Sequence, residues 1–461
     1  MLKTGLRWLE AFHDALPGRV VVDPDIIESH RRDQACLAEA GIAAALVRAH
    51  STAEVQAVMR FAHAHHVPVV PRGAGTGLTG GANAVDGCIV LSLAPMNRIL
   101  KIDSVGMFAV VEPGVINADL RRAARSENLF YAPDPASYEM CTIGGNIATN
   151  AGGLCCVKYG VTRDSVLGLE VVLASGEILR CGSPTLKGVA GYDLTRLFVG
   201  SEGTLGIVTQ ACLRLRPLPS AEMTMVAFFP TMRSAGEAIT RIVHDCTPSL
   251  LEIMDGTTIR AVERWKPMGL NTEAAAMLLA RSDSPDSKGD VERFAGFCRD
   301  VGATFAACSE DETEAELLMA ARRNCVPALE RGGSILLDDV AVPISRLPEM
   351  FEAVDALARR IGVIVGNFGH AGDGNLHPTI VFERSDPTAV DRARRAFDAI
   401  LEEALRLGGT ITGEHGVGLL KRRMLAEEVG SVGTAIHRAI KSALDPQNIL
   451  NPGKALPGVM V

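Results

Sequence analysis

The apolar positions of the chain change period several times, and each change marks an element. Residues 51–66 open with Ser51 and Glu54 in the spacing of a capping box. Val55, Val58, Met59 and Ala62 then repeat at helical intervals. The apolar run "VPVVP" reads as a buried strand, and after the glycine loop "RGAGTGLTGGA" comes a second, "CIVLSL". "VLGLEVVLASGEILRCG" holds two strand-like runs across a Ser-Gly turn. "LFVGSEGTLGIVTQACLRLRPLP" then carries β-rich sequence into Pro217 and Pro219, where a domain boundary is expected. Beyond it a helix is predicted over 391–407, with Ala396, Phe397, Ile400, Leu401 and Ala404 on one face and Gly408 ending it. A short strand, "TIT", should lead into "GEHG". The turn-rich "LDPQNILNPGKALPG" reads as a tail packed on a domain formed by earlier residues.

Length and charge narrow the picture. A chain of 461 residues exceeds what one hydrophobic core supports, so two or three domains are expected. With a net charge of −8 and no basic stripe, no nucleic-acid partner is expected. The 11 cysteines contain no C-x-x-C pair, only adjacent Cys155 and Cys156, and read as reduced thiols of a cytosolic protein. The first residues mix charged with apolar positions and do not read as a secretory signal. No uncharged apolar run approaches the ~18 residues of a membrane-spanning helix. A cytoplasmic location, peripheral to a membrane at most, is the expectation.

Two glycine-rich stretches carry the first chemistry. "PRGAGTGLTGGA" fits the dinucleotide fingerprint poorly, because Gly73, Gly75 and Gly77 are spaced G-x-G-x-G and a strand follows instead of a helix. Its backbone N–H groups, with Thr76, Thr79 and Arg72, can still form an anion nest. A plain surface loop is the alternative for this stretch alone. "TIGGNIATNAGG" adds four glycines, with Thr142, Asn146, Thr149 and Asn150 as short polar donors. Two such loops suit a cofactor with a pyrophosphate and a large ring system.

The second chemistry lies in "GHAGDGNLHP" and "GEHG". The first brackets a glycine-rich link with His370 and His377, and the second places Glu414 before His415. Gly372 and Gly374 allow the link to curl, so both rings can face one point with Glu414 as a third ligand. The residues alone leave two readings open, a divalent-metal site or turn residues near a surface. His415 has the right chemistry for a general base at neutral pH, or for capping a loop.

These segments resemble the vanillyl-alcohol oxidase / p-cresol methylhydroxylase family of flavoproteins. "PRGAGTGLTGGA", "GGNIATNAGG" and "GSEGTLGIVT" look like its FAD-contacting stretches. "GHAGDGNLHP", "GEHGVG" and "DPQNILNPGK" are similar to signatures of its FAD-linked D-2-hydroxyacid dehydrogenase branch, which includes glycolate oxidase subunits, D-lactate dehydrogenases and D-2-hydroxyglutarate dehydrogenases.

The resemblance implies an α+β fold. A two-subdomain FAD-binding domain would span 1–218, and a substrate-binding cap with an antiparallel sheet and the metal site would span 219–428. A tail, 429–461, would return to the FAD domain. FAD contacts would fall on Arg72, Gly73, Gly75, Thr76, Gly77, Thr79, Gly80, Asp134, Pro135, Thr142, Gly145, Asn146, Asn150, Gly152, Gly153, Glu202, Gly206, Ile207 and Asn451. The loop 71–82 has neither His nor Cys to tether flavin, so non-covalent FAD is expected.

The same resemblance puts a divalent metal (zinc, with manganese or iron as alternatives) on His370, His377 and Glu414. It makes His415 the base and gives Arg322 and Asn375 to the substrate. In the family's W-x-x-R pattern, Met319 stands here for the tryptophan and Arg322 for the arginine. Leu337 replaces the lysine that would hold a second carboxylate, and Asp338 would repel one, so D-lactate or glycolate is favoured over D-2-hydroxyglutarate. The implied activity is FAD-dependent, metal-assisted oxidation of a D-2-hydroxyacid to the 2-oxoacid. Electrons would pass to a quinone, an electron-transfer flavoprotein or an iron–sulfur partner subunit, and a homodimer is open. An FAD alcohol oxidase, or a flavin subunit acting only in electron transfer, are the alternatives.

Overall fold

The computed structural model describes residues 7–185, 187–219, 222–309 and 311–456. The chain divides into two compact units, one formed by residues 1–151, 161–218 and 414–461, the other by 152–160 and 219–413.

Among the described residues, the first unit holds two larger sheets and a two-stranded pair, Leu129–Phe130 with Arg216–Pro217. In one, Val20–Val21, Ala45–Arg48, Ile89–Ser92 and Val69–Arg72 lie side by side, the last three parallel. The helix Thr52–His65 begins where expected, with Ser51 accepting the Glu54 N–H, and its Val55, Val58, Met59 and Ala62 are buried. They pack with Val69, Ile89 and Leu91 in one core. The second sheet is antiparallel, in the order Ile99–Asp103, Phe108–Val111, Ile207–Arg214, Val166–Val172, Ile178–Gly182. The Ser-Gly turn joins its last two strands, and the alternating burial along Ile207–Arg214 puts Ala211 and Leu213 into a separate core while Ile207 joins the first.

The second unit is built on a seven-stranded sheet, antiparallel at every pairing. Its order is Phe305–Cys308, Met223–Phe229, Ala276–Ser282, Leu250–Asp255, Phe368–His370, Asn375–Leu376, Val340–Ala341. A three-stranded sheet of Ser334–Leu337, Thr379–Phe382 and Ile364–Gly366 accompanies it. The expected helix runs Pro387–Arg406, starting earlier than its apolar face because Asp386 caps it.

Three expectations are corrected. "TIT" forms a single bridge, Ala341 to Thr410, and not a strand. The return to the first unit comes at Glu414, not at residue 429. The reason is local: Val417 and Gly418 donate their N–H groups to Glu202, and Leu419 donates to the Thr79 carbonyl. The segment 152–160 belongs to the second unit, where the Lys158 ammonium and the Tyr159 hydroxyl both bond Asp283.

A further helix, Arg422–Leu444, broken at Gly430, takes up the first half of the expected tail. Ile449 and Leu450 are core residues of the first unit, and Asn451 donates to the Val69 carbonyl at 2.8 Å. The last five residues of the expected tail lie outside the described residues. Among the described residues, no helix is long and apolar enough to cross a membrane.

Candidate active site

In the first unit, the buried strand Val69–Arg72 delivers the chain into the glycine loop. Among the described residues, no protein acceptor receives a backbone N–H from Gly73 through Gly81. A half-buried loop with a run of unanswered donors fits a pyrophosphate. The Nη1 of Arg72, a buried residue, also has no protein partner. Burial lowers the pKa of this guanidinium, and the nearby Asp33 carboxylate opposes that shift.

The second loop lies against the first, since a Cβ at Gly73 would fall 2.3 Å from Thr142 Oγ1. Thr142 caps the helix Ile143–Thr149 by accepting the Gly145 N–H, and Asn150 ends it in the left-handed conformation. Buried Asn146 accepts a bond from Asn117 Nδ2 at 3.1 Å. Asp134 is buried on the connection after Leu129–Phe130, and Pro135 accepts the Tyr138 N–H. Gly206 packs on Val171, and the Ile207 side chain is core, so any cofactor contact there is through backbone. Gly152 and Gly153 open the second unit's first segment.

Glu202, Asn451 and Lys454 close the far end of the glycine loop. Glu202 sits at φ +51° and accepts the Val417 and Gly418 N–H groups, each at 2.8 Å. Burial raises its pKa, and those two amides oppose the rise. Asn451 Nδ2 donates to the carbonyls of Gly81 (2.9 Å) and Glu202 (2.7 Å). Lys454 donates to the Asn83 carbonyl at 2.6 Å and to Asn451 Oδ1, and burial pulls its pKa down to about 8.

The stretch bearing Glu414 and His415 is thereby anchored within the first unit. Thr79 Oγ1 donates to the His415 carbonyl at 3.4 Å. The Glu414 carboxylate lies 3.7 Å from His415 Nε2, so the two side chains turn toward each other. Gly418 has φ +50°, and a Cβ there would lie 2.3 Å from the Thr79 carbonyl oxygen. Gly418→Ala is therefore expected to destabilise the protein by roughly 2–5 kcal/mol through left-handed strain and overpacking, read as a lower denaturant midpoint.

In the second unit, His370 ends its strand directly opposite Glu252. Its Nδ1 is 2.6 Å from Glu252 Oε1, and Arg322 Nε donates to Glu252 Oε2 at 2.7 Å. The helix Glu312–Arg323 brings Arg322 there, buried and with its guanidinium 4.7 Å from the centre of the Phe368 ring. The link after His370 does curl. His370 pairs with Asn375, Gly374 takes φ +83°, and the His370 and His377 rings stand 5.0 Å apart, nearly perpendicular. Gly372 is small for another reason: a Cβ there would strike Val157.

Asn375 Nδ2 donates to Asp339 Oδ1 (2.7 Å) and to the Val340 carbonyl, while Thr412 Oγ1 holds Asp339 Oδ2 at 2.7 Å. Asp338 and Asp339 are fully buried. With Nδ1 of His370 on a carboxylate, the neutral ring presents a lone pair at Nε2. Two buried imidazoles with one ring so oriented fit a divalent cation as donors.

Sequence reasoning missed Glu252 and Asp339. The signal was present in "LLEIMD" and "LLDDVAV", where carboxylates interrupt runs otherwise fit for burial.

Residues 43–182 match the family described as FAD binding domain, and residues 218–455 match FAD linked oxidases, C-terminal domain. This chain belongs to the FAD-linked oxidases. It is 42% identical over 449 residues to the glycolate oxidase subunit GlcD of Bacillus subtilis, covering 96% of this chain and 94% of that one. It is 35% identical over 459 residues to a D-lactate dehydrogenase of Anaerostipes hadrus, covering 97% and 96%. The fold of this FAD-linked oxidase matches that of substrate-bound p-cresol methylhydroxylase with a TM-score of 0.81 at 20% identity, over 97% of this chain and 96% of the other. The α+β fold and the FAD-linked oxidoreductase class implied by the sequence both stand.

Proposed function

We propose that this oxidase converts a small D-2-hydroxyacid, D-lactate or glycolate, to its 2-oxoacid with the help of a divalent metal. The observation that carries the reading is the buried His370–His377 pair, with Glu252 orienting one ring and holding Arg322 beside it. The names of the relatives agree in substrate class: one is a glycolate oxidase subunit and another a D-lactate dehydrogenase.

FAD, which the two glycine loops would hold, would supply the two-electron acceptor for the C2 hydride. His370, His377 and Glu414 would hold the metal, which would supply Lewis-acid polarisation. His415 takes the hydroxyl proton at its ring nitrogen. Arg322 pairs with the substrate carboxylate, and Asn375 is the second substrate-binding residue. FAD is held without a covalent bond, since the loop 71–82 has no His or Cys. A relative named as a subunit favours an electron-accepting partner protein.

The test is anaerobic mixing of the flavin-loaded protein with D-lactate, glycolate, L-lactate and D-2-hydroxyglutarate. Bleaching of the flavin by D-lactate or glycolate is expected. Bleaching by D-2-hydroxyglutarate alone would contradict the argument from Leu337 and Asp338.

A further inference from the structure

Glu252 lies between two residues to which the proposed function gives separate tasks. It sits inside the strand Leu250–Asp255, every residue of which is buried, and its side chain is 0% exposed. A carboxylate in such a place is costly unless both oxygens are satisfied. Here one oxygen takes the Nδ1–H of His370 and the other the Nε–H of Arg322, at 2.6 and 2.7 Å. The strand pairing sets Glu252 against His370 in register, and the Arg322 guanidinium is stacked on Phe368, two residues before His370. A shift of the carboxylate toward either partner therefore alters its bond to the other.

We propose that Glu252 is a positioning residue that couples the metal-binding histidine to the substrate-binding arginine. Through Oε1 it fixes the His370 tautomer, so that Nε2 faces a metal, and makes that nitrogen a better donor. Through Oε2 it holds the Arg322 fork in one orientation toward a carboxylate. Because one charge serves both, neutralising Arg322 leaves more of the carboxylate's charge on His370. The state of the arginine is thus felt at the metal. The inference rests on the metal and arginine assignments of the proposed function.

Glutamine in place of Glu252 can accept from only one partner and must turn an NH₂ group toward the other, so Glu252→Gln breaks one of the two bonds by its chemistry. The measurement is the zinc dissociation constant of the flavin-loaded, full-length protein, by competition with a chromophoric chelator. It is made for wild type, Glu252→Gln, Arg322→Gln and the double variant. Flavin content and the thermal midpoint report folding.

Glu252→Gln is expected to weaken zinc about 10–100-fold with flavin content kept. Arg322→Gln, which provides no metal ligand, is expected to shift zinc affinity by itself, and the double variant to deviate from the sum of the two. Should Glu252→Gln not retain flavin, Glu252→Asp in the same cycle, with the charge drawn back by one methylene, is expected to show the same coupling. Zinc affinities within twofold of wild type, or effects that simply add, would overturn the inference while leaving the metal site standing. A wild-type protein that binds no zinc would instead overturn the metal assignment, and this inference with it.

Discussion

Replacing His415 by glutamine is expected to slow the reduction of bound flavin by D-lactate or glycolate by about 10²–10⁴-fold, the usual worth of a positioned general base. The flavin itself should remain bound. His415 reaches the glycine loop through its backbone, where its carbonyl accepts from Thr79, and the neighbouring amides of Val417 and Gly418 are held by Glu202. None of these anchors uses the imidazole, so the substitution removes the proposed proton acceptor and leaves the loop tied down. Glutamine keeps a polar atom near the Glu414 carboxylate but cannot take up a proton. Stopped-flow reduction at saturating substrate reads the effect directly. A variant that reduces flavin within a factor of three of wild type would remove His415 from the chemistry.

Replacing His377 by alanine is expected to fail differently. His377 is buried beside His370 and follows the strand pair Phe368–His370 and Asn375–Leu376, whose bonds are backbone bonds. Its own N–H donates to the Phe368 carbonyl at 2.7 Å, which alanine preserves. The hairpin should therefore persist, while a third of the proposed ligand set disappears. Losing the proposed Lewis-acid polarisation, worth several kcal/mol, is expected to lower the rate on the order of 10³-fold. Metal content should fall with activity in His377→Ala and stay at the wild-type level in His415→Gln. Elemental analysis of the two purified variants separates them, and His377→Ala protein with full metal content would contradict the ligand assignment.

Much of this was legible in the sequence because it rests on local rules. The helix over 51–66, the glycine loop and the curling link between His370 and His377 each follow from caps, apolar period or glycine freedom within a few residues. What the sequence hid depends on partners far along the chain. Glu252 and Arg322 are 70 positions apart and Glu252 and His370 118. No spacing rule reports that strand pairing brings them together. The same holds for the return of the chain at Glu414, which is decided by bonds to Glu202 and Thr79 and not by any composition change near 414. The helix Arg422–Leu444 escaped because Gly430 interrupts it and only three of its residues are buried, so its apolar period is weak.

Oxidation of the hydroxyacid is proposed to need both the flavin and a metal. The most direct measurement is single-turnover flavin reduction by D-lactate, and by glycolate, in protein as purified, after exhaustive chelation, and after zinc or manganese is restored. A role for the metal predicts rapid bleaching that is lost with the chelator and returns with the metal, at unchanged flavin content. Bleaching that survives complete removal of metal would contradict it.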